Sequence, residues 1–473
     1  MIAGGGAVRP PWRAAALLAS ACVVAASQIA LVSLAPGLTH ETAAAFAAVA
    51  PLILLLIVPT ALSFWIAAEA ARGSPSPPAY AALIALGLLI RVIWFGAPAP
   101  IEDDFFRYLW DGAVVAHGFN PYAVSPAEAL GGALGVGGGG AHLGGLTLEG
   151  VETLARINFP ELRSIYPGTA QAAFAGAHVL APWSLDGLRV LFLTADLSAA
   201  ALLVALLRER GANPAWAALY WCSPFVAFNT VGLAHVDALL PPLILGALLL
   251  IQRRPLASCG LIGLAAGVKL WPVLLAPLFL RPLLAVRRRL LPAMLVLCVA
   301  LAATLGPLFI SALDAGSGLT AYAGGWANNN ALFAWALDAL RVVTTDEAAQ
   351  AGLRASLALV GAIAALAVAW RPAANVEDFA ARALVVCVAA FFCSPAQFPW
   401  YALWFLPLAI LTRFWPLIVA AALIPAYYLF FPFWSGPSFS LFSHGVALIH
   451  AAPIILWAAW RLTPRSRPYP RSV

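Results

Sequence analysis

Charge is what this sequence has least of. Asp, Glu, Lys and Arg supply only 10% of its 473 residues, against roughly a quarter in soluble domains, so a soluble globular fold is excluded. Lysine is almost absent, with Lys269 as its single instance. The one GxGxxG, at 135–140, is part of a glycine-rich run with no strand before it, and there is no Walker loop and no GxSxG, which removes dinucleotide, P-loop and serine-hydrolase chemistry. The glycine-rich run at 131–145 lacks both the Lys-Ser/Thr that completes a phosphate loop and the strand that precedes one. No His/Cys metal spacing occurs. The six cysteines lie in or beside apolar segments, so they are expected as small packing residues rather than a disulfide framework. No internal repeat is visible, and the paired halves of many secondary transporters are therefore missing. No small-residue cleavage site follows the first apolar segment, and another comes straight after it, so a retained helix is expected in place of a signal peptide.

Hydrocarbon is what the chain has instead. It is 63% hydrophobic, with a mean hydropathy of +0.91. About 20 apolar residues suffice for one crossing of a bilayer. Candidate crossings lie at 14–34, 43–68, 79–97, 187–207, 214–233, 236–252, 255–268, 270–281, 290–311, 353–370, 380–395, 401–412, 415–432 and 444–460. An all-α polytopic membrane protein with 12–14 transmembrane helices is expected, although 255–268, 270–281 and 401–412 are short. The organisation expected is N-terminal spans at 1–97, a first long loop at 98–186, central spans at 187–311, a second loop at 312–352 and C-terminal spans at 353–473.

The net charge of +6 does not form one patch, so nucleic acid is not an expected partner. With the N-terminus inside, 18 of the 26 basic residues, including Arg72, Arg208, Arg253 and Arg287 to Arg289, fall on cytoplasmic connections. That bias places both termini in the cytoplasm and both long loops on the periplasmic or extracellular face of the cytoplasmic membrane. Long ordered loops on one face carry function more often than scaffold does. The glycine-rich run inside the first loop is expected to stay unpacked and mobile, and 169–182 to lie along the membrane surface.

The most polar stretch of the first loop is EDDFFRYLWDGAVVAHGFNPY (102–122), which reads as a short amphipathic helix ending at Gly118. Asp104 and Tyr108, and likewise Arg107 and Asp111, are spaced i, i+4, which puts acids, a guanidinium and rings on neighbouring positions suited to a sugar. A merely solvated acidic loop is the competing reading. Lys269, in AGVKLWPVLL, sits between two short apolar segments, where a cation is expensive unless it is paired or lines an aqueous cavity. It suits a phosphate, or else it pairs with Asp237 or Asp196. His235 and Asp237 lie at a turn between two spans, and either a structural or a functional role fits them. The run Asn328-Asn329-Asn330 beside Trp326 caps a helix or binds hydroxyls. Gln397, Trp400 and Tyr401 read equally as an interfacial aromatic belt, and His444 as a capping residue. Consecutive acids rarely aim three ligands at one ion, so no metal is expected.

With these motifs in their order, residues 90–410 resemble the polyprenyl-phosphate-dependent glycosyltransferases of the GT-C superfold, and most of all the mannosyltransferases of glycosyltransferase family 87 and their relatives. The resemblance rests on EDDFFRYLWDG…HGFNPY, ELRSIYPGTAQ, SPFVAFNTVGLAHVDALL, AGVKLWPVLLAPL, WANNNALF and FPWYALWFLPL. The chain departs from the family where Tyr166-Pro167-Gly168 replaces a common Tyr-Pro-Pro, and where Ala331 lies near a usual small hydroxyl residue. It also carries more spans ahead of the acidic loop than the superfold usually has.

The resemblance implies inverting transfer of a hexose, mannose foremost, from a polyprenyl phosphate to a lipid or glycan acceptor hydroxyl of the cell envelope. It implies no metal, nucleotide or other cofactor, because the lipid phosphate already activates the sugar. Asp104, matching an Asp-x-x-x-Tyr pattern, or Asp103 beside it, is then the catalytic base. Lys269, Arg163, Tyr166 and His235 would serve the donor phosphate. Arg107, Tyr108, Trp326, Asn329, Trp400, Tyr401 and His444 would hold sugar or acceptor. A lipid-linked-sugar flippase or solute transporter is the rival, and it would need charged groups reachable from both faces.

Overall fold

Helices account for nearly all regular structure in the computed structural model, which describes residues 11–73, 75–136, 140–313, 317–434 and 437–463. Arg9, Arg465, Arg467 and Arg471, which enter the charge bias above, lie outside the described residues. In chain order the elements used below are α1 (Pro11–Leu34), α2 (Phe46–Ala71), α3 (Pro77–Val92), α4 (Asp104–Ala116), α5 (Pro126–Ala133), α6 (Gly168–Leu180), α7 (Leu185–Glu209), α8 (Leu240–Leu250), α9 (Pro255–Ala266), α10 (Arg287–Ser311), α11 (Ala331–Arg341), α12 (Asp346–Ala369) and α13 (Val376–Cys393).

Among the described residues six helices are long and apolar enough to cross a membrane, and two bent pairs raise that number to eight. Four shorter apolar helices, Pro77–Val92, Pro255–Ala266, Trp271–Ala285 and Pro399–Thr412, account for further segments expected from the sequence. The chain is thus an all-α polytopic integral membrane protein. Leu54, Val299, Leu366 and Leu456 stand exposed on its flank. In water such a belt would be unfavourable, whereas against lipid it needs no cover.

Several apolar segments are broken rather than continuous, and three of the breaks decide the architecture of the site. Pro224–Gly232 and Val236–Leu250 meet at 107°. The first of these ends in a π turn over Phe228–Gly232, and Ala234 takes φ +52° to start the second. α9 stops at Gly267, and a 3-10 turn over Trp271–Leu275 follows Lys269. The third begins as a 3-10 turn over Pro399–Trp404. Irregular backbone at membrane depth persists only where protein or a polar cavity satisfies it.

Here buried side chains satisfy it. The fully buried Arg189 donates to the carbonyls of Val231 at 3.0 Å, Gly232 at 3.0 Å and Ala97 at 2.7 Å, which caps the end of the π turn with a cation. The same guanidinium pairs with Asp186 at 2.9 Å, and Asp186 accepts from the Gly96 amide. The Gly267 carbonyl accepts from the Thr169 and Ala170 amides at 2.9 and 3.1 Å, so the break beside Lys269 caps the start of α6. Any side chain at Gly267 would run into Thr169 and Thr304.

One expectation for the first loop is corrected, and the helix expected along the membrane surface, α6, is a packed element. It packs against α4, with Phe174 and Ala177 buried in the main core, and Gly112 admits the Phe174 carbonyl where any Cβ would collide. The glycine-rich run is not unpacked. Gly131 and Gly132 belong to α5, and Leu143 and Leu146 join Trp110, Ala129, Leu154 and Ile157 in a small core of the loop's own. Capping explains α5, since Ser125 accepts from the Glu128 amide while Glu128 accepts from the Ser125 amide. Residues 137–139 of the run lie outside the described residues.

The second loop is tied to the segment after α13. Asn328 bridges Ala396, and the Gln397 amide donates to the Asn328 carbonyl at 2.9 Å. The two loops also touch, with the Phe159 and Trp326 rings 4.7 Å apart. Both long loops therefore roof the same end of the bundle.

Candidate active site

The breaks converge under that roof. α4 opens at Asp104, which presents its carboxylate at a helix N-terminus, where the dipole favours negative charge. The helix closes as expected from the sequence: Gly118 has φ +79°, and the Phe119 amide reaches the Val114 carbonyl at 3.0 Å. Asp104 Oδ2 lies 3.3 Å from His235 Nε2, and Asp104 is 30% exposed where His235 is 2% exposed. The acid thus forms the open end of a buried chain.

His235 Nδ1 sits 3.2 Å from Asp237 Oδ2 and 3.4 Å from the Tyr108 hydroxyl. Its ring stacks on Trp400 with centroids 3.8 Å apart, which fixes the imidazole plane. Asp237 is fully buried and 3.4 Å from Lys269 Nζ, and it accepts from Trp404 Nε1 at 2.6 Å. Lys269 is 21% exposed, and its ammonium stands 4.6 Å from the centre of the Tyr401 ring, a cation–π contact. Four charged or ionisable groups from two of the breaks and one loop helix thereby form a line, Asp104, His235, Asp237, Lys269, whose two ends are accessible.

The three adjacent acids are sorted by their surroundings. Burial, with the charges of Asp104 and Asp103 beside it, pushes Glu102 well above the ordinary carboxylate range. Burial and the Asp104 charge raise Asp103 to about 7, although Asn158 donates to it at 2.7 Å. Burial acts to raise Asp104 too, but the His235 ring and the Lys269 charge outweigh it and hold that carboxyl below its usual value. Asp103 turns away from the line, toward Asn158 and, at 3.9 Å, His40.

Other residues singled out in the sequence are placed elsewhere. Arg107 is 8% exposed and spends its donors on the carbonyls of Leu162 and Phe159, both at 2.9 Å, so it ties the loop to α4. Asp111 is buried and accepts from Ser164 and Gln171. Tyr166 meets the Tyr108 ring edge-on at 5.0 Å, and its carbonyl accepts from the Tyr122 hydroxyl, which sets it behind the site. Arg163 lies 3.8 Å from Glu128 in the loop. Trp326 packs on Phe159 and Tyr322. Asn329, at φ +54°, donates to the Gln397 carbonyl, and Asn330 caps α11, so these asparagines hold the second loop. His444 pairs with Asp338 at 2.8 Å on the exterior.

Sequence reasoning passed over Trp404, Tyr322 and Trp271. Trp404 anchors Asp237, Tyr322 bonds the Tyr401 hydroxyl at 2.8 Å, and Trp271 stacks on Trp404 at 5.2 Å. The signal was present, since all three stand within five residues of Trp400, Tyr401, Trp326 or Lys269. Among the described residues no group of three or more His, Cys, Asp or Glu is arranged to hold a metal ion.

Residues 165–395 match the model of glycosyltransferase family 87. The matched segment contains Tyr166, His235, Asp237 and Lys269; Asp104 lies before it, and Trp400 and Trp404 after it. No curated protein and no solved structure matches the chain.

Proposed function

We propose that the chain, whose residues 165–395 match the model of glycosyltransferase family 87, is a glycosyltransferase that moves a hexose, mannose foremost, from a polyprenyl phosphate to an acceptor hydroxyl on the outer face of the membrane. The observation that carries this reading is the line from Asp104 to Lys269, with a base at one open end and a cation at the other.

In the reaction, the acceptor oxygen attacks the anomeric carbon from the face opposite the phosphate. Its proton passes to Asp104 as the new C–O bond forms. The bond from the anomeric carbon to the phosphate oxygen breaks, its electron pair leaves with the lipid phosphate, and Lys269 balances the charge that develops there. The sugar inverts. No cofactor is required, because the phosphate is already the leaving group.

A carboxylate held below its usual pKa is a weak base, and the same line supplies the remedy. A phosphate placed at Lys269 draws on the cation that otherwise stabilises ionised Asp104, so the carboxylate gains basicity when donor is bound. Asp103 has the higher pKa but faces Asn158, and geometry takes precedence over pKa in choosing a base. Tyr108, Trp400 and Tyr401 are buried, so they back the line and fix His235 and Lys269 and do not present ring faces to a sugar.

The test is transfer from radiolabelled polyprenyl-phosphate mannose to membrane acceptors by the purified, reconstituted protein, beside Asp104→Asn. A labelled product that falls by about 10²–10⁴-fold in the variant is expected for loss of a general base, with donor binding retained. Undiminished transfer by Asp104→Asn would remove the assigned base. Silence with mannose, glucose, galactose and arabinose donors alike would bring the flippase or transporter forward.

A further inference from the structure

A cavity of 240 Å³ opens behind the aromatic layer of the site, bounded by Trp271 and Tyr322 on one side and by α12 on the other. Tyr322 is shared, since its hydroxyl bonds Tyr401, whose ring lies under Lys269. The cavity is therefore one ring away from the reacting end of the line.

Its polar element is Arg354. One guanidinium nitrogen donates to the Trp326 carbonyl at 3.1 Å, while Nε and Nη2 are buried with no hydrogen-bond partner. The flat of the guanidinium faces the Phe333 ring at 5.3 Å. Among the described residues no carboxylate pairs with it. Buried donors without acceptors are unfavourable, and two adjacent guanidinium N–H groups match the oxygens of one phosphate.

The α12 sequence continues the pattern. Arg354 lies eight residues into α12 from Asp346, roughly 12 Å along the helix axis. Leu357, Ala358 and Gly361 follow at i+3, i+4 and i+7, all on the cavity wall. Gly361 leaves space there, since a Cβ at that position would make only ordinary contact with Leu274 at 3.6 Å. A cation at the loop end of an apolar, small-residue stripe complements an amphiphile with one anionic head and one hydrocarbon chain.

We infer that this cavity is the seat of the lipid donor, with Arg354 reading its phosphate and the Leu357–Ala358–Gly361 stripe holding the first isoprene units. This rests on the proposed transfer reaction and adds a second cation to it. Arg354 engages the phosphate as the lipid arrives from the bilayer, and Lys269, beyond the Tyr322–Tyr401 pair, takes the charge as the sugar departs.

Binding of undecaprenyl phosphate, which carries no sugar, to the full-length protein in nanodiscs tests the seat without relying on transfer. Arg354→Gln is expected to weaken that binding by about tenfold to a hundredfold, as for loss of a hydrogen bond to a charged group. Binding of uncharged undecaprenol should not change with Arg354→Gln. Gly361→Leu, which narrows the stripe without touching the cation, should erase the preference for undecaprenyl over farnesyl phosphate. Melting temperatures of both variants show whether either has simply unfolded. Unchanged affinity in a folded Arg354→Gln protein overturns the inference, as does equal competition by phosphatidylglycerol. Arg354-dependent binding in a protein that transfers no sugar would sink the proposed reaction and leave the seat standing.

Discussion

Replacing Lys269 by Met separates a structural counter-ion from a catalytic cation. At the 3.4 Å separation from Asp237 Oδ2, two unit charges attract by about 5 kcal/mol at an effective dielectric of about 20. Removing one partner of a buried pair typically destabilises by about 3–5 kcal/mol, because the other charge is left uncompensated. Lys269 is 21% exposed, so the lower end of that range, about 3 kcal/mol, is expected. Adding Asp237→Asn removes the stranded charge, and most of the lost stability should return, read as the melting temperature of the detergent-purified protein. Transfer should not return with it. An electrostatic group facing the leaving phosphate is worth about 10²–10³-fold in rate, and the double variant still lacks it. A double variant that folds and transfers at the wild-type rate would refute the reasoning, since Lys269 would then be only the counter-ion of Asp237.

The remaining predictions concern the acids and the buried pair deeper in the bundle. Asp103 sits at about 7 in the fold against an ordinary value of 3.8, so the folded state holds a proton that the unfolded chain has released. The stability tied to that proton is fully present below pH 4 and is lost as pH rises through 7, up to about 4 kcal/mol in all. Asp103→Asn should therefore gain stability relative to the parent between pH 4 and pH 8, and a melting-temperature difference independent of pH would contradict the assignment. Arg91 and Asp196 are both fully buried and 2.6 Å apart, with Thr230 at 2.9 Å from the same carboxylate. Asp196→Asn should cost about 3–5 kcal/mol and lower expression before it affects the turnover of folded protein; thermal unfolding beside transfer per folded molecule checks both halves.

The sequence by itself determined the helical membrane architecture, because apolar run length is a local property and the bilayer sets a fixed requirement on it. It also marked the segments that turned out to be broken. Pieces as short as 255–268 and 401–412, and a lone lysine between two of them, are hard to reconcile with simple crossings. The residues of the line, Asp104, His235, Asp237 and Lys269, were all marked by polarity in an apolar setting.

Only the tertiary structure decided who pairs with whom. Lys269 had two candidate partners in the sequence, and packing gave Asp196 to Arg91 and Asp237 to Lys269. Asp103 and Asp104 are equivalent on paper, yet the first turn of α4 sends one toward Asn158 and the other toward His235. Arg107 and Asp111 have the spacing of a binding face and are consumed in holding the loop. Such outcomes depend on contacts between residues tens to more than a hundred positions apart, and a local pattern of polarity carries no term for them. It shows that a buried charge must be satisfied; the packing of the helices chooses what satisfies it.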